Sequence, residues 1–271
     1  MKRKKLWIIL VSVIVGIVAL LTGGYFLTKL SSVSIEFRTR LAADETRLEE
    51  AVLDKVKLSG EFDYSSSILF LNTDESVQKI ERDNPYVKVQ QVIRKFPNKL
   101  HVYISERIPK YRVQDSKLSN KWCILDEEFK VLEIVTNEEI VSEFGECTIE
   151  LKHFKAELNA GEFLDKPHEL LRLNNIMTGV YGKTQDYFAI TAIDYVESDN
   201  TYILSTKSGN FGYESDCEIQ IVGINDLANK TFKAVSVYVE KSFEGIGEGV
   251  IDLSRKLVII SSDEGCKIKN V

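Results

Sequence analysis

The chain has 271 residues, a formal net charge of −6, 44% hydrophobic residues and 28% charged residues. That apolar share supports one or two folded domains rather than a disordered chain, and the acidic balance argues against nucleic acid as a partner. The four cysteines, Cys123, Cys147, Cys217 and Cys266, form no CxxC pair, which removes the usual zinc and thioredoxin-type spacings. Whether they form disulfides or stay as buried thiols is open, and so is the pairing.

Lys2, Arg3, Lys4 and Lys5 precede an uncharged run from Leu6 to Leu27. As a helix rising ~1.5 Å per residue, that run reaches roughly 33 Å, enough for a bilayer core of about 30 Å. The basic cluster predicts a cytoplasmic N-terminus, with the remaining chain outside the cell. A cleaved signal peptide is the competing reading. Its apolar region is usually about 7–15 residues, and Thr22-Gly23-Gly24 is a poor cleavage site. No second apolar run of this length follows, so the protein is predicted to be bitopic. Removing the four positive charges of the tail from the total leaves −10 for the rest, which a solvated acidic surface explains.

Beyond the helix, Val33, Ile35 and Phe37 share one face of a predicted strand. A helix is predicted from Ala43 to about Lys57, with Leu48, Val52 and Val56 on its apolar stripe and Gly60 as its stop. Asn72-Thr73-Asp74-Glu75 resembles a capping box that starts a second helix, with Val77 and Ile80 inward. Two strands follow, joined at Pro97-Asn98. Leu100, Val102 and Ile104 alternate with His101, Tyr103 and Ser105. Strand, helix, helix, strand, strand is the order of a POTRA domain.

The stretch from Asn84 to Pro109 carries more than a strand pattern. Pro85, Tyr86, Val87 and Lys88 open it, Arg94, Phe96, Pro97 and Asn98 occupy the turn, and Glu106, Arg107 and Pro109 close it. This resembles the signature of the FtsQ/DivIB family of bacterial division proteins. Phe96 is predicted to pack under the sheet or its turn, and Glu106 or Arg107 to form an ion pair to the following domain.

After Pro109, short strands dominate. Trp122–Leu125 and Phe129–Val135 flank Asp126-Glu127-Glu128 as a hairpin; Phe129 stands where the family usually has Gly. The polar stretch from Thr136 to Gly145 reads as loop. Pro167 opens a helix with Leu170, Leu173, Ile176, Met177 and Val180 inward and Gly182 as its end. Strands are predicted at Phe188–Tyr195, Tyr202–Thr206, Asn210–Tyr213 and Glu218–Val222. A helix follows over about Asn225–Val239, in which Lys230 matches a Lys common in the family. Gly249-Val250-Ile251-Asp252-Leu253 resembles a family run that ends in Arg, but Ser254 intervenes before Arg255. Leu257 to Ser261 is predicted to be the final strand.

The expected architecture is therefore α+β: a cytoplasmic tail (1–5), a single transmembrane helix (6–28), a POTRA domain (31–112) with a three-stranded sheet and two helices, and a mixed, mainly antiparallel β domain (113–271). No catalytic residue, cofactor or metal site is assigned. His101, His153 and His168 have no ligand spacing, and no nucleophile elbow or phosphate loop occurs. The resemblance implies a non-enzymatic, membrane-inserted scaffold at the division septum. Its implied partners are FtsL-like and FtsB/DivIC-like bitopic proteins and, indirectly, the septal peptidoglycan synthase. It points to Arg255, Leu257, Val258, Ile259, Ile260 and Ser261 as the contact, on the expectation that this strand is a free sheet edge. A wall hydrolase and a POTRA-type translocation chaperone are the alternatives.

Overall fold

A computed structural model describes residues 2–37, 55–157, 159–207, 211, 216–241 and 256–270. The chain forms two compact units, Met1–Arg107 and Ile108–Val271.

The first unit begins with helix α1 (Lys2–Thr28). Among the described residues it is the one helix long and apolar enough to span a membrane. Strand β1 (Ser32–Phe37), helices α2 (Lys55–Gly60) and α3 (Thr73–Asp83) and strands β2 (Val87–Lys95) and β3 (Lys99–Glu106) follow. The sheet order is β1-β3-β2, with β1 parallel and β2 antiparallel to β3. Leu100, Val102 and Ile104 face a core that includes Leu58, Phe62, Ile68 and Ile80, as their alternation requires. Asn72 caps α3 by accepting from the Asp74 N–H at 3.2 Å. Most of the helix expected at 43–57 lies outside the described residues.

Phe96 differs from expectation: it is 66% exposed. It sits in the turn beyond the Lys95–Lys99 pair, past the end of the β2–β3 ladder.

The second unit is a nine-stranded sheet. Its strands are β4 (Tyr111–Asp115), β5 (Lys121–Leu125), β6 (Val131–Thr136), β7 (Ile149–Ala156), β8 (Ile190–Val196), β9 (Thr201–Thr206), β10 (Cys217–Val222), β11 (Leu257–Ser262) and β12 (Gly265–Asn270). The order is β12-β11-β10-β9-β8-β7-β4-β5-β6. Helices α4 (Pro167–Thr184) and α5 (Leu227–Glu240) bury Leu173, Ile176, Val180, Leu227 and Val235 in the main core beneath it. They approach closely because Gly179 has no side chain: a Cβ there would lie 2.5 Å from the Ala228 carbonyl oxygen.

Several local expectations are corrected here. Helix α4 continues past Gly182 and closes at Gln185, which takes the left-handed conformation. The polar stretch after Thr136 is helical instead of loop, opened by a capping box from Thr136 to Glu139. It buries Ile140 and Phe144 with Ile124 and Val135 in a second, smaller cluster. Strand β10 pairs directly with β9; of the strand expected at 210–213, only Phe211 is described. The four cysteines form no disulfide with one another, and burial pushes the Cys217 thiol up to about 12.

The turn between β5 and β6 resolves the substitution at Phe129. Its φ is +65°, the conformation that glycine normally supplies. A side chain there costs about 1–2 kcal/mol. The fully buried ring offsets that cost by packing edge-on against Tyr111 and Phe154, with centroids at 5.6 and 6.2 Å. Asp126 accepts from the Glu128 and Lys130 N–H groups, both at 2.9 Å, and so closes the turn.

Candidate division-complex interface

The signature residues of the first unit hold its own elements together. The Arg94 guanidinium donates to the Leu71 carbonyl at 2.8 Å and ties the hairpin to the start of α3. The Asn98 carbonyl accepts from the Ser31 N–H at 2.8 Å. Arg107 is buried and pairs with Glu81 of α3 at 3.2 Å; the other Glu81 oxygen accepts from the Val89 N–H at 2.7 Å. The ion pair expected to reach the next domain is thus found inside the first unit, fastening α3 to β2.

In the second unit, Glu169 is the most enclosed carboxylate of a polar cluster. Tyr202 donates to it at 2.7 Å, and His153 and Arg172 approach at 3.4 and 3.5 Å. Burial pushes its carboxyl up, but the Tyr202 hydroxyl and the neighbouring His153 ring outweigh this and leave it below the usual range. Both ring nitrogens of His153 are buried without a hydrogen-bond partner, so the cluster is only partly satisfied.

The contact residues proposed from sequence lie elsewhere than expected. Arg255 falls outside the described residues. Leu257–Ser261 belong to β11, which is parallel to β10 on one side and antiparallel to β12 on the other. It is therefore an interior strand, with Leu257, Val258, Ile259 and Ser261 all buried. An uninterrupted apolar run marks a strand covered on both faces; a free edge is usually blunted by charge. The edge is the next strand, Gly265–Asn270, and among the described residues no strand lies beyond it.

The chemistry of that edge follows from its register. A two-residue loop, Asp263-Glu264, joins Ser262 to Gly265, so this closing pair exchanges both of its backbone hydrogen bonds. The alternation carries the same pattern to Ile260–Lys267 and Val258–Lys269. The N–H and C=O groups of Cys266, Ile268 and Asn270 therefore face away from β11. Ile268 is buried in the core, while Lys267 and Lys269 are exposed on the opposite face. Sequence reasoning missed these residues, since a lone Ile between two Lys gives almost no strand signal.

Lys230 fixes the hairpin in place. It is buried in α5, and its ammonium donates to the Val222 carbonyl at 2.9 Å and pairs with Asp263 in the hairpin loop at 2.8 Å. The Lys230 carbonyl accepts from the buried Ser261 hydroxyl at 3.0 Å. One residue thus joins the end of β10, the helix, strand β11 and the loop of the hairpin.

Residues 48–107 match the FtsQ-type POTRA domain. The chain is also 27% identical over 214 residues to the cell division protein DivIB of Clostridium tetani, covering 77% of this chain and 71% of the relative. Both matches support the FtsQ/DivIB family for this chain. It is a cell-division protein, and its apolar N-terminal helix fits a single-pass membrane anchor. The FtsQ/DivIB signature thus coincides with the contacts that build the POTRA unit, while the open sheet edge lies in the unit that follows it.

Proposed function

We propose that the protein is a non-enzymatic bitopic scaffold of the divisome. Its N-terminus is cytoplasmic and its POTRA and β domains lie outside the membrane at the septum. It binds FtsL-like and FtsB/DivIC-like partners and helps recruit or regulate the septal peptidoglycan synthase. The observation that carries this reading is the open edge at Gly265–Asn270, held in place by Lys230. An extended partner segment adds there as a tenth strand, taking its hydrogen bonds from the outward groups of Cys266, Ile268 and Asn270. Lys267 and Lys269 favour a segment with acidic side chains on the facing side.

Proline at alternate positions tests this reading. Cys266→Pro removes an outward N–H and should abolish capture of the FtsB/DivIC-type partner while leaving the fold intact. Lys267→Pro removes an N–H directed to β11 and should open the hairpin itself. Wild-type capture by a folded Cys266→Pro protein would show that this edge is not the interface.

A further inference from the structure

The membrane end of the first unit carries apolar side chains that its core does not use. Helix α1 passes into the POTRA fold without a linker. The Ile68 N–H donates to the Thr28 carbonyl at 2.8 Å, and the Leu30 N–H to the Ser66 carbonyl at 3.0 Å. The Thr28 and Ser67 hydroxyls lie 2.6 Å apart, and the Tyr25 hydroxyl donates to the Ser65 carbonyl at 2.8 Å. Segment 64–70 is thereby fixed against the end of the apolar helix. Within it Leu69 is 48% and Phe70 82% exposed, and the Tyr64 ring is exposed as well.

We infer that Leu69 and Phe70 insert into the interfacial layer of the lipid leaflet on the POTRA side, with Tyr64 beside them. The inference rests on α1 spanning the bilayer and is independent of the partner edge. Its occupant follows from height. The uncharged run of α1 ends at Leu27, and consecutive Cα atoms are about 3.8 Å apart. Leu69 and Phe70 follow directly after Ile68, which is bonded to Thr28 at the helix end, so their Cα atoms lie within about 8 Å of the Ile68 Cα. The interfacial layer outside the hydrocarbon core is roughly 5–7 Å deep, and aromatic side chains favour that layer.

The surrounding charge agrees with lipid headgroups. Lys29 lies at the helix end, and Lys95 and Lys99 flank the Phe96 turn, whose Asn98 carbonyl is bonded to Ser31. Asp63 is an opposing charge, as are Glu61, Asp74 and Glu75 on either side of the segment: Asp63 accepts hydrogen bonds from Ser65 and Ser66, which hold its carboxyl below the usual range, with Lys29 nearby. The exposed Phe96 is a further aromatic, in the turn whose Asn98 carbonyl is bonded to Ser31.

The test is tryptophan quenching in the full chain reconstituted into vesicles of phosphatidylcholine and phosphatidylglycerol brominated near the headgroup. In a Trp7→Phe, Trp122→Phe background, Phe70→Trp should lose more than half of its emission, and Leu69→Trp should behave alike. Asp83→Trp, at the opposite end of α3, should be unaffected. A separate sample that retains Trp7 alone reports whether the helix is inserted. If Trp7 is quenched and the folded Phe70→Trp and Leu69→Trp proteins are not, the patch does not enter the lipid. Equal quenching of Asp83→Trp would also overturn the inference, because the effect would not be specific to the patch. Unquenched Trp7 would overturn the anchor reading and the patch with it.

Discussion

The nine-stranded sheet ends in two edges that are treated in opposite ways. At β6, the chain covers the start of its own edge. The Val131 N–H donates to the Glu162 carbonyl and the Gly161 N–H to the Val131 carbonyl, both at 2.8 Å. Leu164 donates to the Phe129 carbonyl at 2.9 Å, and the far end of β6 closes into the Thr136 capping box. At β12, the described chain supplies no outer strand, and the exposed side chains are lysines. A bare strand edge is an aggregation hazard that proteins block by covering or by charge. Covering is the permanent solution. Charge discourages promiscuous pairing yet leaves the backbone available to a complementary segment, which is what the proposed partner edge requires of β12.

Four variants break or sharpen this contrast. The largest effect belongs to Phe129→Ala. It removes the buried ring at the foot of the covered edge and should cost about 3–5 kcal/mol, read as a lower denaturation midpoint of the β domain. Lys230→Met comes next. Loss of its buried charged hydrogen bonds should cost about 2 kcal/mol. Hydrogen exchange should show Ile259 and Ile268 losing protection while β6 keeps it. Equal loss at both edges would mean that Lys230 supports the whole sheet and not the hairpin in particular.

Gly161→Ala should cost about 1–2 kcal/mol because the site requires a positive φ. Exchange should then rise at Val131. The smallest stability effect is expected for the double substitution Lys267→Glu, Lys269→Glu, within about 0.5 kcal/mol of wild type. That variant should nevertheless bind an acidic FtsB/DivIC-type segment several-fold more weakly at low salt. Titration calorimetry on the folded variant tests it; unchanged affinity would remove charge from the recognition scheme.

Legibility varied for physical reasons. The POTRA strands were readable because one face is buried, so Leu100, Val102 and Ile104 alternate cleanly with residues of the other face. Strand β7 was missed although it lies in the middle of the sheet. Its sequence, Ile-Glu-Leu-Lys-His-Phe-Lys-Ala, loses the period of two where its pairing with β4 shifts register. The helical turn after Thr136 was hidden by its glutamates, since only Ile140 and Phe144 point inward. The edge strand was misplaced by one because apolar content was read as exposure awaiting a partner. Leu257–Ile260 is apolar because β10, β12 and the core already enclose it. Phe96 failed in the other direction: aromatic character suggested burial at a turn that extends beyond its sheet.

The left-handed Phe129 has a consequence for the order of folding. An aromatic residue in the unfolded chain rarely visits that backbone region, so Asp126–Lys130 is a poor nucleus for its own hairpin. The β5–β6 pairing has to await Tyr111 and Phe154, which reward the conformation once they are in place. Substitutions in the β5–β6 pair are therefore expected to change the unfolding rate of the sheet and leave its folding rate nearly unaltered, the mark of a strand that joins late.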